Sequence, residues 1–132
     1  MGETQQRVVW LERSGRKILS VDLRSATREE QLQVVDAYVS ALERSPERIS
    51  LLVRGDGKLE YYPDMSTRLK ALMAVQENRL RRSALVGFAG IVRVAFDSFF
   101  VAARLLGKDV QDRGRHFEDA ELEAALDWLA AD

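Results

Sequence analysis

The amino-acid sequence predicts one α/β domain: a mixed, mostly parallel sheet flanked by helices, with elements in the order β-β-α-β-α-β-α-β-α. Three observations carry this expectation. Short runs rich in branched and aromatic residues alternate with longer segments whose apolar residues recur every three or four positions, which are the strand and helix periods. Two of the short runs, Ile49–Val53 and Ala84–Phe88, are nearly continuously apolar, as expected of strands covered on both faces in a parallel sheet. The 132 residues hold no internal repeat, linker or low-complexity tract, and that length suits a single core.

The elements follow in order. Residues 1–6 are polar and read as a flexible tail ahead of a single domain over 7–132. Arg7–Glu12 and Lys17–Leu23 read as strands, and Ser14-Gly15 between them supplies the positive φ of a tight hairpin turn. Thr27 and Glu30 make a T-x-x-E capping box that opens a helix. Leu32, Val35, Tyr38, Val39 and Leu42 form its inner stripe, and Ser45-Pro46 ends it. The Ile49–Val53 strand comes next. Gly55–Tyr62 reads either as a loop or as the return arm of a second hairpin, with Asp56-Gly57 a turn in both cases.

A helix opened by Pro63 carries Met65, Leu69, Leu72, Met73 and Leu80 inward, with Arg79, Arg81 and Arg82 in its last turn. The Ala84–Phe88 strand leads into a helix from about Ile91 to Leu106, stopped by Gly107. A short fifth strand is expected over Arg113–Phe117. Asp119 then caps a closing helix whose inner face is Leu122, Ala125, Leu126 and Leu129.

Composition narrows the chemistry. Twenty Lys+Arg against 21 Asp+Glu give a formal charge of −1, so no overall field recruits nucleic acid or anionic lipid. The absence of cysteine removes disulfides, thiol nucleophiles and zinc–thiolate sites, and a single histidine cannot build a multi-His metal centre. The most apolar stretch, 84–106, is interrupted by Arg93, Asp97 and Arg104, which argues against a membrane span. With no apolar signal core at the N-terminus, a cytoplasmic location is expected.

The second half of the chain carries a resemblance. Ala84-Leu-Val-Gly-Phe-Ala-Gly90 leads into an apolar helix that ends at Leu106-Gly-Lys-Asp109. A strand then closes at Phe117, followed by Glu118-Asp-Ala120 and Ala125-Leu-Asp-Trp-Leu129. This set resembles the small bacterial STAS-like family, related in fold to anti-sigma-factor antagonists and more distantly to CRAL-TRIO lipid-transfer domains. The resemblance implies a helix-flanked sheet and a non-enzymatic regulatory or binding role. In anti-sigma-factor antagonists a serine at a helix start is phosphorylated, and Asp64-Met-Ser-Thr67 is similar to that motif, although Met65 and Arg68 depart from it. Ser66 and Thr67 are therefore candidate phosphosites, where added charge at a helix N-terminus would alter a docking surface. The plainer reading is that Asp64 and Ser66 cap the helix.

Other features carry paired readings. Gly87-Phe-Ala-Gly90 is either a tight strand-to-helix turn or a backbone approach for an anion. His116 reads as a strand-end residue, Arg54-Gly55-Asp56 as a chance tripeptide, and Asp22, Asp56 and Asp64 as carboxylates that could gather at strand ends. Arg79, Arg81 and Arg82 read as a phosphate grip or as a dipole-complementing helix end.

The Ile91–Leu106 helix is apolar around most of its circumference. It is a deeply buried core helix, a protein–protein surface or the wall of an apolar cavity, with Phe96, Phe99 and Phe100 as candidate contact residues. The combined expectation is a non-catalytic docking module with a protein partner. It self-associates as a homodimer through Phe96 and Phe100 and uses no cofactor or metal. The alternative is a carrier or sensor of an apolar small molecule or lipid.

Overall fold

The computed structural model describes residues 7–56, 80–89, 93–94 and 114–131. Five strands form one mixed sheet in sequential order: β1 (Val8–Arg13), β2 (Arg16–Asp22), β3 (Ile49–Arg54), β4 (Leu80–Val86) and β5 (Gly114–Phe117). β1 runs antiparallel to β2, and the β2–β3, β3–β4 and β4–β5 pairs are parallel. The described helices are α1 (Arg28–Arg44) and α2 (Leu122–Ala130).

The hairpin forms because Ser14 and Gly15 both take positive φ, at 53° and 78°. That geometry matches the strand twist in a two-residue turn. Its closing pair is Arg13 and Arg16. The capping box opens α1 as the sequence predicts: Thr27 Oγ1 accepts from the Glu30 N–H at 3.2 Å, and Glu30 Oε1 accepts from the Thr27 N–H at 3.0 Å. The Thr27 hydrogen bonds, and then the neighbouring Arg7, hold the Glu30 carboxyl below its ordinary range.

Strand alternation distributes two cores. Leu19, Val21, Leu51, Val53 and Leu85 face Val34, Val35, Tyr38 and Leu42 of α1. Ile18, Leu52, Ala84 and Val86 face Ala125 and Leu129 of α2 on the opposite side. The two-sided burial expected of Ile49–Val53 and of the Ala84–Val86 part of the second run follows from this arrangement, because a helix packs on each face of these central strands.

Several boundaries differ from the sequence reading. The stripe of α1 is centred on Gln31, Val34, Val35, Tyr38 and Leu42, while Leu32 and Val39 are half-buried. Gln31 is tolerated inside because its Nε2 donates to the Ala26 carbonyl at 3.3 Å. Leu80, Arg81 and Arg82 belong to β4, not to the last turn of a helix. β4 ends at Val86, since Gly87 turns the chain with φ of 83°. Before α2, Glu118 takes the capping position and its N–H donates to Glu121 Oε1 at 2.8 Å, leaving Asp119 available to Arg54.

The 1–6 tail, the Pro63 helix with Asp64, Ser66 and Thr67, residues 57–62, Arg79, and the Ile91–Leu106 stripe with Phe96, Phe99 and Phe100 lie outside the described residues.

Candidate functional site

In open α/β sheets, ligands approach the carboxyl ends of parallel strands. Among the described residues, polar groups at that end engage one another. Main-chain bonds stitch it beyond the strands: Leu23 N–H to the Arg54 carbonyl, Gly55 N–H to that of Val86, and Gly87 N–H to that of Phe117. Arg24 grips Asp22 through Nε at 3.0 Å and Nη2 at 2.8 Å, and its backbone N–H adds a bond of 2.9 Å. Burial pushes the Asp22 carboxyl up, but the Arg24 hydrogen bonds together with the charges of Arg24 and Arg7 outweigh it and hold the group low. Arg24 is raised in turn, first by its bond to Asp22, with Asp119 and Asp56 adding their fields.

Asp22 is bound by Arg24, and Asp56 adds its field to the same arginine. Asp56 accepts from Ser25 Oγ at 2.9 Å, and Arg54 pairs with Asp119 at 3.3 Å. These contacts also consume the Arg54-Gly55-Asp56 tripeptide. Among the described residues, no group of three or more His, Asp or Glu side chains is placed to hold a metal. His116 sits in β5 beside Leu85, half-buried.

Gly55 and Gly87 bring this end together. A Cβ on Gly55 would meet the Phe88 ring at 2.5 Å, and one on Gly87 would meet the Gly55 carbonyl oxygen at 2.5 Å. The Gly87–Gly90 segment thus begins as the tight turn that its glycines suggest.

Arg81 and Arg82 do complement a helix end, but not one of their own. Ile49 pairs with Leu80 and Ser50 with Arg82, so Arg81 is an extra residue in β4. Such a bulge re-aims side chains, and here both guanidinium groups reach the C-terminus of α2. Arg81 Nη1 donates to the Leu129 carbonyl at 2.8 Å and to Ser50 Oγ at 3.4 Å, and its Nη2 donates to the Ala131 carbonyl. Arg82 Nη1 donates to the Trp128 carbonyl at 2.5 Å. Its guanidinium lies 5.2 Å from the Trp128 ring, and Arg115 lies 5.5 Å from the same ring. Because α2 has no basic residue in its last turn, the cations that its dipole favours come from the sheet.

Among the described residues, β1 presents an exposed apolar surface. It is an edge strand whose central residues are apolar and exposed: Trp10 at 48%, Val9 at 38% and Leu11 at 37%. Natural edges are usually guarded by proline, bulges or central charges. This one has charge only toward its ends, at Arg7, Glu12 and Arg13. Trp10 and Val8 also border an open trough of about 1500 Å3 whose walls include Leu19, Ala37, Ala41 and Ile49, with Arg44 and Arg48 at its rim. Sequence reading recognised the strand but not its exposure. The available signal was the unbroken Val8-Val9-Trp10-Leu11 run, and the strand order then places it at an edge.

No protein-family model, curated protein or solved structure matches this chain. Among the described residues, no helix is long and apolar enough to cross a membrane.

Proposed function

We propose that this chain is a non-catalytic interaction module of STAS-like type that acts by docking, and that β1 is its docking edge. The observation that carries the reading is the exposed apolar centre of an edge strand, Val9-Trp10-Leu11, beside backbone donors and acceptors that no described residue engages. An added strand would gain main-chain hydrogen bonds for affinity and alternate side-chain contacts for specificity. A hairpin followed by parallel strands, with helices on both faces, supports the STAS-like assignment. Docking is favoured over carriage of an apolar small molecule because the described trough beside Trp10 is open and has charged residues at its rim, whereas carrier sites enclose most of their ligand.

The test is selection of peptides from a display library on the intact chain, followed by rebinding to the Glu12→Pro variant. Proline on an edge strand removes an outward N–H that the sheet itself does not use. Docking at β1 requires that the selected peptides lose binding to Glu12→Pro. Equal binding to both proteins contradicts it.

A further inference from the structure

We propose that a second copy of this chain docks on β1, continuing the sheet across a two-fold axis through Trp10. The inference rests on the docking reading above and specifies the occupant.

The two-residue turn makes Arg13 and Arg16 the closing hydrogen-bonded pair of the hairpin. Bonding alternates from there. Val9, Leu11 and Arg13 direct their backbone groups at β2, while Val8, Trp10 and Glu12 direct theirs outward. Among the described residues, no hydrogen bond beyond the sheet engages these outward groups. A two-fold axis perpendicular to the sheet keeps each face on its own side, so the outward residues of one copy must meet the outward residues of the other. Axes through any residue from Val8 to Glu12 satisfy this requirement; one through Val9 sets Leu11 against Arg7, and one through Leu11 sets Val9 against Arg13 and Trp10 against Glu12. An axis through Glu12 sets two carboxylates against each other and runs Trp10 against the turn residue Ser14. An axis through Val8 carries Leu11 and Arg13 past the start of the opposing β1. Only the axis through Trp10 matches apolar Val9 with apolar Leu11 and Trp10 with its own copy, with Val8 opposite Glu12.

The side chains suit that register. Val9 meets Leu11 of the other copy on the α2 side, and the two indoles meet on the α1 side. Arg13 comes opposite Arg7, but each already holds a carboxylate: Arg13 pairs with Glu123 and Asp127, and Arg7 with Glu30. A fully covered tryptophan buries about 150–250 Å2, so half of one plus parts of Val9 and Leu11 falls well short of the ~800 Å2 per partner of a standard interface. The dimer is therefore reversible and weak, at micromolar affinity or below.

Sedimentation of the full chain from micromolar to millimolar concentration tests this. The wild type shifts toward dimer as concentration rises. Trp10→Lys and Trp10→Asp, checked for folding by circular dichroism, each place like charges on the axis and weaken self-association by at least about tenfold. Mixing the two variants places opposite charges there and restores association. Glu12→Pro, which leaves the indole intact, also weakens it. The proposal is overturned by a wild type that stays monomeric throughout, by Trp10 variants that dimerise like the wild type, or by a mixture no more associated than its components. A monomeric wild type whose selected peptides still depend on Glu12 removes the self-pairing and leaves the docking reading intact.

Discussion

Arg82 is one of two β4 arginines that tie the C-terminal helix to the sheet, and replacing it with methionine measures its share of that tie. Methionine keeps the stem and removes the guanidinium. With it go hydrogen bonds to the Trp128 carbonyl at 2.5 Å and to the Ala131 carbonyl at 3.3 Å, and a contact at 5.2 Å from the Trp128 ring. Hydrogen bonds to charged groups contribute about 1.5–3 kcal/mol, which partial exposure lowers to roughly 1–2 here. The ring contact adds about 0.5–1 kcal/mol. Arg82→Met should therefore cost about 2 kcal/mol, or a fall in Tm of about 6–10 °C for a chain of this size. Thermal and urea unfolding followed by circular dichroism give the value directly. Repeating the substitution in a Trp128→Leu background separates the two parts, because the carbonyl remains when the ring is gone. A coupling of about 0.5–1 kcal/mol is expected, with the remainder persisting. A Tm change under about 2 °C would refute the assignment of Arg82 to the helix end and would favour the surface role that its place in a charge run suggests.

Two further outcomes follow from the other end of the sheet. Gly87→Ala should destabilise by more than about 2 kcal/mol, since the new Cβ meets a backbone oxygen at φ of 83°, while Gly15→Ala, also at positive φ but with open space around it, should cost only about 1 kcal/mol; chemical denaturation ranks them, and equal losses would contradict the close approach of Gly87 to Gly55. Asp22 is held low in the folded chain, so its contribution is present above the ordinary carboxylate range and is lost as pH falls through the folded value. Asp22→Asn should thus lower stability by up to about 1 kcal/mol at neutral pH, after allowance for solvent screening, and by progressively less toward acid; a difference that grows on acidification would contradict the pairing with Arg24.

Local chemistry made some elements legible. Ser14-Gly15 and the Thr27/Glu30 pair specify a turn and a helix start through backbone geometry and neighbouring hydrogen bonds, without reference to the rest of the molecule. The apolar runs at 49–53 and 84–88 announced strands covered on both faces, because burial on two faces leaves no polar alternation, although the second strand ends at Val86. Tertiary features were not legible in the same way. Leu80-Arg-Arg-Ser83 neither alternates nor looks apolar, since a bulge turns both arginines to one side and the groups they satisfy are distant helix carbonyls. Val34 escaped the helical stripe because a face about 100° wide can be drawn through neighbouring positions, and only packing against β2 and β3 selects one. The exposure of Trp10 depends on strand order, which places β1 at an edge. Asp22 and Asp56 are legible as strand-end carboxylates, but Arg24, which binds Asp22 and feels the field of Asp56, is identified only by the conformation of the loop after β2.

Residue-resolved amide exchange along β1 addresses the docking edge most directly. In dilute solution the outward amides of Trp10 and Glu12 should exchange readily, while those of Leu11 and Arg13, bonded to β2, stay protected. As protein concentration rises, Trp10 and Glu12 should gain protection as the edge is covered. Protection of Trp10 and Glu12 equal to that of Leu11 in the most dilute sample would mean that the edge is already closed, and would contradict the account.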